Sequence, residues 1–182
     1  MFAVVGSVLV SDGANVPAEQ VEETARRWSD QCPDRNVSPV LVLGLLNEAR
    51  LRLEERLAGA LEEHGLRSWE FDVLAALRTE GEPYELCPGT LSLRLGVSNS
   101  AMTHRITRLE ESGLVERRFS PHNRRIVLVR LTQRGRALTE HAMGSYLSEG
   151  GDALAGLTRE ELDRLCLLLR RLGTSSARHA EE

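Results

Sequence analysis

The chain contains no lysine at all: every one of its 23 basic residues is arginine. The choice reads as coding bias in a GC-rich genome. Its physical consequence is that each cation is a planar, permanently charged fork suited to phosphates and to guanine edges. Aromatic residues make up only 4% of the 182 positions, which disfavours a sandwich or barrel and leaves a Leu-, Ala-, Glu- and Arg-rich, helix-forming sequence. Cysteines are few: Cys32, Cys87 and Cys166 are odd in number, far apart and without metal-ligand spacing. They read as free thiols of a cytoplasmic protein, not as a disulfide framework or zinc site. No apolar run reaches the roughly 18 residues that would cross a membrane. Protease, hydrolase, P-loop and dinucleotide motifs are all missing, and His64, His104, His122, His141 and His179 are scattered. The expectation is a protein that is not an enzyme, with no cofactor, no catalytic residues and no metal.

What is present is an uneven charge. Between Arg94 and Arg136 ten arginines stand against Glu110, Glu111 and Glu116, in a chain whose net charge is −4. A basic segment on an acidic body is the electrostatic footprint of a nucleic-acid face.

The order of elements gives that face a shape. Residues 1–16 read as a flexible tail. Residues 17–31 form a short amphipathic helix in which Val21, Ala25 and Trp28 share one side. A long helix runs from about Pro39 to Glu63, with Val42, Leu46, Ala49, Leu53, Leu57 and Leu61 at helical spacing and His64-Gly65 as its stop. Ser68 is a candidate cap for the next helix, whose stripe is Trp69, Val73, Leu74 and Leu77. "EPYELCP" reads as a turn-rich link.

Leu91, Leu93 and Leu95 then form a short helix ended by Gly96, and Ser98 caps another. That second helix turns Ala101, Met102, Ile106 and Leu109 inward. It leaves Asn99, Ser100, Thr103, His104, Thr107 and Arg108 outside. Two helices joined by a Gly turn, the second with a small and polar outer face, make a helix-turn-helix whose second helix fits a major groove. "SGLVERRF" and "RRIVLVRLT" follow as two strands around the loop "FSPHNR", a β-hairpin with an arginine-rich tip. The fold class is therefore mainly α with a small β-hairpin wing. A winged helix-turn-helix over 67–132 is flanked by helical dimerisation segments at 39–66 and 133–176. In the last of these, Leu162, Leu165, Leu169 and Leu172, widened by Cys166 and Leu168, make more apolar face than one small domain buries.

From Pro39 to Gly173 the chain resembles the MarR family of bacterial transcriptional regulators. The likeness rests on "FDVLAALRTEGEPYELCPGTLSLRLGVSNSAMTHRITRLEESGLVERR" followed by "RRIVLVRLTQRGRAL". It implies a homodimer that binds a pseudo-palindromic operator in double-stranded DNA, usually as a repressor. A small anionic or phenolic effector, or oxidation of a thiol, would release it. The candidate DNA-binding residues are Ser98, Asn99, Ser100, Thr103, His104 and Arg108 on the helix, with Arg124 and Arg125 at the wing tip. Arg117, Arg118 and Arg130, on the strands, either reach phosphates or brace the wing. One departure stands out: family wings usually carry an acid before the leading arginine, and the matching position in this chain is Asn123.

The added N-terminal helix also resembles the urate-responsive, PecS-like branch. That likeness implies a ligand site built from Trp28, Asp72 and Arg105, with Arg78 standing one position before the branch's second arginine. The alternative for the same residues is a structural ion pair at Asp72 and simple packing at Trp28. The alternative function is thiol-based redox sensing, with Cys87 the best placed of the three.

Overall fold

A computed structural model describes residues 16–121, 123 and 125–177, the side chains of the last five of these excepted. Apart from Val16, the expected tail lies outside the described residues, as do His122 and Arg124. Seven helices and three short strands are described: α1 (Ala18–Gln31), α2 (Ser38–Glu62), α3 (Ser68–Arg78), β1 (Glu85–Leu86), α4 (Pro88–Leu95), α5 (Asn99–Glu111), β2 (Val115–Phe119), β3 (Val127–Leu131), α6 (Gln133–Leu154) and α7 (Arg159–Ala177). This is a mainly helical winged helix with one small antiparallel sheet.

The sheet has three strands in the order β1-β3-β2, not the two of a bare hairpin. β2 and β3 pair from Val115 opposite Leu131 to Phe119 opposite Val127. β1 adds only Glu85 opposite Arg130 and Leu86 opposite Val129. Two residues cannot display a period-2 pattern, so β1 reads as a link in sequence and becomes a strand only through its distant partner. The strands meet around buried Val129, with Val115 and Leu131 on the same inner face.

Caps set the helix ends. The Ser98 hydroxyl accepts from the Ala101 N–H at 3.2 Å, and Thr132 Oγ1 accepts from the Gly135 N–H at 2.9 Å. At the foot of α7, Thr158 and Glu161 form a reciprocal capping box, Glu161 Oε2 accepting from the Thr158 N–H at 2.8 Å. Ser68 does not cap α3. It is the first helical residue, and the Arg67 N–H is held instead by the Glu70 carboxylate at 2.9 Å. Gly96 ends α4 at φ 63°, the left-handed corner that lets α5 turn away at once. Gly173 lies within α7, which continues to Ala177; a glycine weakens a helix but stops it only in a left-handed C-cap.

The winged helix closes its own core. Val73, Leu74 and Leu77 of α3, Leu91 of α4, and Met102, Ile106 and Leu109 of α5 are all essentially inaccessible, packed with Val115 and Val129 from the sheet. α6 joins this core very tightly at Gly135, where an added Cβ would lie 1.9 Å from the Leu114 carbonyl oxygen. α1 packs on α2 through buried Val21 and Ala25, with Gly44 leaving room for Val21. The apolar stripe of α2 divides: Leu61 is buried, whereas Val42, Leu46 and Ala49 face outward with Leu43. Every side chain described from Asp163 to Leu172 of α7 is exposed.

Candidate nucleic-acid interface

α5 is held by its inner residues so that the outer ones are free to face a partner. Asn99, Ser100, Thr103, His104 and Arg108 are all exposed, while Met102, Ile106 and Leu109 anchor the helix. Not every expected contact residue is equally available. Ser98 spends its hydroxyl on capping, and Thr103 donates to the Asn99 carbonyl at 2.8 Å. Both keep hydroxyl lone pairs that can accept a further hydrogen bond. Asn99, His104 and Arg108 offer the amide, imidazole and guanidinium groups that read base edges or bind phosphates.

Arg117 ties the wing to this helix. The Arg117 backbone N–H donates to Glu110 Oε1 at 3.1 Å, and its guanidinium bonds both the same carboxylate and, at 2.9 Å, Thr107 Oγ1. Arg118 pairs with Glu116 at 2.6 Å along its own strand. Both arginines have ion-pair partners within the chain, Arg117 across to α5 and Arg118 along its own strand. Arg134 adds a further tie, donating to the Ser112 carbonyl at 2.9 Å, at the turn between α5 and β2.

At the tip the neutral Asn123 takes a definite role. Its Oδ1 accepts from the Arg125 N–H at 3.0 Å, and its carbonyl accepts from the Ile126 N–H at 2.9 Å. The side-chain oxygen thus closes an Asx-type turn that an aspartate would also close. Arg125 is left exposed. Arg124, the expected leading arginine, lies outside the described residues. Phe119, at the outer end of β2, is 69% exposed. Sequence patterning counts it as a strand residue and gives no sign that it stands beyond the core.

The expected ligand residues are only partly brought together. Asp72 on α3 and Arg105 on α5 interact electrostatically, and Arg105 lies over the Trp69 ring at 5.6 Å. Partial burial raises the Asp72 pKa, and the Arg105 charge offsets part of that rise. Arg78 is elsewhere: it pairs with Glu140 of α6 at 3.1 Å and stacks over Tyr84 at 5.0 Å. Six residues on one helix separate it from Asp72 by about 120° of rotation, which places the two on different faces. Trp28 sits half-buried on α1, the helix packed on α2. The aromatic neighbour of Arg105 is therefore Trp69, which sequence spacing marks only as a core residue. Among the described residues no cluster of His, Cys, Asp and Glu has the makings of a metal site. Cys32 and Cys87 are partly buried and Cys166 is exposed, all as free thiols.

Comparison with known proteins places this geometry. A family model described as "MarR family" matches residues 64–126, the span from the end of α2 to the wing tip. The HTH-type transcriptional regulator PecS of Dickeya dadantii (strain 3937) is 33% identical over 153 residues, covering 84% of this chain and 92% of PecS. The transcriptional repressor MprA of Escherichia coli (strain K12) is 27% identical over 165 residues, covering 85% and 92%. Among solved structures, a cysteine-to-serine mutant of MarR from E. coli, complexed with operator DNA, superposes with a TM-score of 0.65 at 26% identity, covering 76% of this chain and 98% of that one. AbsC from Streptomyces coelicolor, at 23% identity and a TM-score of 0.66, covers 73% of this chain and 90% of its own and shares the fold.

Proposed function

The chain belongs to the MarR family of DNA-binding transcriptional regulators, and we infer that it works as a homodimeric repressor released by a small anionic or phenolic ligand. One observation carries the DNA-binding geometry. The polar outer face of α5 and the basic wing are tied into one unit by Arg117, Glu110 and Thr107. In a dimer two such units would enter successive major grooves about 34–36 Å apart, with wing arginines in the flanking minor grooves. The operator is then pseudo-palindromic. Asn99, His104 and Arg108 are the base-reading or phosphate-binding groups, with Ser98, Ser100 and Thr103 as close-packing donors and acceptors. Arg124 and Arg125 supply the wing's charge.

Dimerisation would use the faces that a single chain leaves open: the outward leucines of α7 and the Val42, Leu43 and Leu46 patch of α2. The effector reading centres on Asp72 and Arg105, with urate as a candidate anion. Arg105 stands on the DNA-reading helix, so an anion that draws its guanidinium from Asp72 pulls on that helix directly. A differential affinity of about 1–3 kcal/mol would loosen the operator complex 5–150-fold. Thiol sensing is the second reading, centred on Cys87, half-buried at the start of α4.

The test is a fluorescence-anisotropy titration against DNA from upstream of the chain's own gene. Affinity should fall by about 10³–10⁵ between 50 and 200 mM salt if six to ten phosphates are neutralised. A salt-insensitive or absent complex would refute the reading. Urate and peroxide added separately to the preformed complex distinguish ligand release from thiol release.

A further inference from the structure

Among the described residues the aromatics Trp28, Trp69, Phe71, Tyr84 and Tyr146 are buried or half-buried, and Phe119 alone is exposed, at 69%. Its place in the wing is specific. Alternate residues of a strand share a face, so Val115, Arg117 and Phe119 follow one another along one side of β2. Val115 is buried in the core, and Arg117 turns to Thr107 and Glu110 of α5. Phe119 is the next residue on that side, about 7 Å further out at the usual rise of a strand. Across the sheet it pairs with half-buried Val127, and Asn123 and the exposed Arg125 lie beyond it at the tip. Phe119 therefore stands between the Arg117 tie and the wing tip, on the side of β2 that turns to α5.

With α5 in a major groove and the wing tip in the neighbouring minor groove, one sugar-phosphate strand separates the two. That strand has to cross the wing between its tie to α5 and its tip, at the level of Phe119. Its phosphates suit arginine, whereas the deoxyriboses that wall the minor groove present C–H groups. We propose that Phe119 lies against the deoxyribose wall of the minor groove beside each half-site, adding apolar burial to the charge supplied by the arginines. The contact rests on the DNA-binding reading above and adds to it a component that salt does not screen. The groove walls approach each other in A·T-rich tracts, so the contact favours such flanks without reading a base edge. A second copy of the chain is the other surface able to bury the ring, but the apolar faces left open for a copy are on α2 and α7.

The experiment titrates the parent, Phe119→Leu and Phe119→Ala against the upstream DNA by anisotropy at several salt concentrations. Phe119→Ala should weaken binding about tenfold at every concentration and Phe119→Leu about threefold, with the slope of log affinity against log salt unchanged. Tm and the dimer mass by light scattering should match the parent, since the exposed ring supports no core. Benzoylphenylalanine in place of Phe119, irradiated in the complex, should crosslink to nucleotides that flank the half-site. Affinity of Phe119→Ala within twofold of the parent overturns the proposal. So does an altered salt slope, which would make the ring a support for the arginines, and so does a lost dimer or a crosslink to a second protein chain. A parent that forms no salt-sensitive complex sinks the regulator reading and this contact with it, so the two failures are read from different proteins.

Discussion

The winged helix and the helices that flank it solve the same burial problem differently. In the winged helix each apolar stripe meets another within the chain, and α3, α4, α5 and the sheet bury Leu74, Leu91, Ile106 and Val129 completely. In α7 the stripe of Leu165, Leu168, Leu169 and Leu172 stays exposed among the described residues. A helix of 19 residues with such a face is not stable by propensity alone and calls for a second surface. One region is thus complete as a single chain, and the other, on the dimer reading proposed above, is half of an interface. Stability and association should therefore separate under mutation.

The largest effect is expected where the second surface is needed. Replacing Leu165 and Leu169 together with Glu should give a monomer by light scattering. Operator affinity should fall by about 10²–10⁴, because the two half-sites then lose their linkage. The winged helix should keep its hydrogen-exchange protection. Loss of that protection in the monomer would break the contrast between the two regions.

Two glycines sharpen the same contrast. Gly135→Ala drives a Cβ into the Leu114 backbone, which cannot step aside, so unfolding should become easier by about 3 kcal/mol or more. Gly44→Ala meets the Val21 side chain at 2.4 Å instead. It should lift α1 from α2 at a cost of about 1–2 kcal/mol, read as increased exchange confined to α1. Equal losses from the two substitutions would mean that α1 belongs to the same cooperative unit as the winged helix.

Within the DNA-binding region, Arg117→Ala should weaken operator binding about 5–30-fold, with an increase in wing mobility by NMR, since it removes both guanidinium ties between wing and helix. The backbone N–H tie to Glu110 survives the substitution, but it loses the ion pair that holds that carboxylate in place. Arg118→Ala removes only an exposed pair along one strand and should cost about threefold or less.

These distinctions show how much is legible in sequence. The cap at Ser98, the corner at Gly96 and the inner face of α5 are local signals, and each reappears in the structure. Long-range pairings are not local. β1 exists only through β3, and nothing near Glu110 announces that Arg117 will return to it. The α2 stripe misleads for another reason: both sides of that helix are apolar, so periodicity cannot say which side a neighbour in the same chain covers. The residues proposed for a ligand are legible as residue types but not as a cluster, because Arg78 and Asp72 face different ways and Trp69 looks like any core residue.

The smallest expected effect concerns Asn123, where a neutral residue stands in place of the acid that the family's wing carries. Two accounts of that position make different predictions. If the side chain's task is to close the turn, the group that matters is Oδ1, which accepts from the Arg125 N–H. Asn123→Asp keeps that acceptor, so operator affinity should stay within about threefold, the added charge at an exposed site being largely screened. Asn123→Ala deletes the acceptor and should be the worse of the two, by about 0.5–1.5 kcal/mol in binding. If the acid's task is instead to orient an arginine through charge, Asn123→Asp should bind at least tenfold more tightly, and Asn123→Ala should match the parent. Measuring both variants at two salt concentrations decides between them. A charge effect shrinks as salt rises, and a turn-closing hydrogen bond does not.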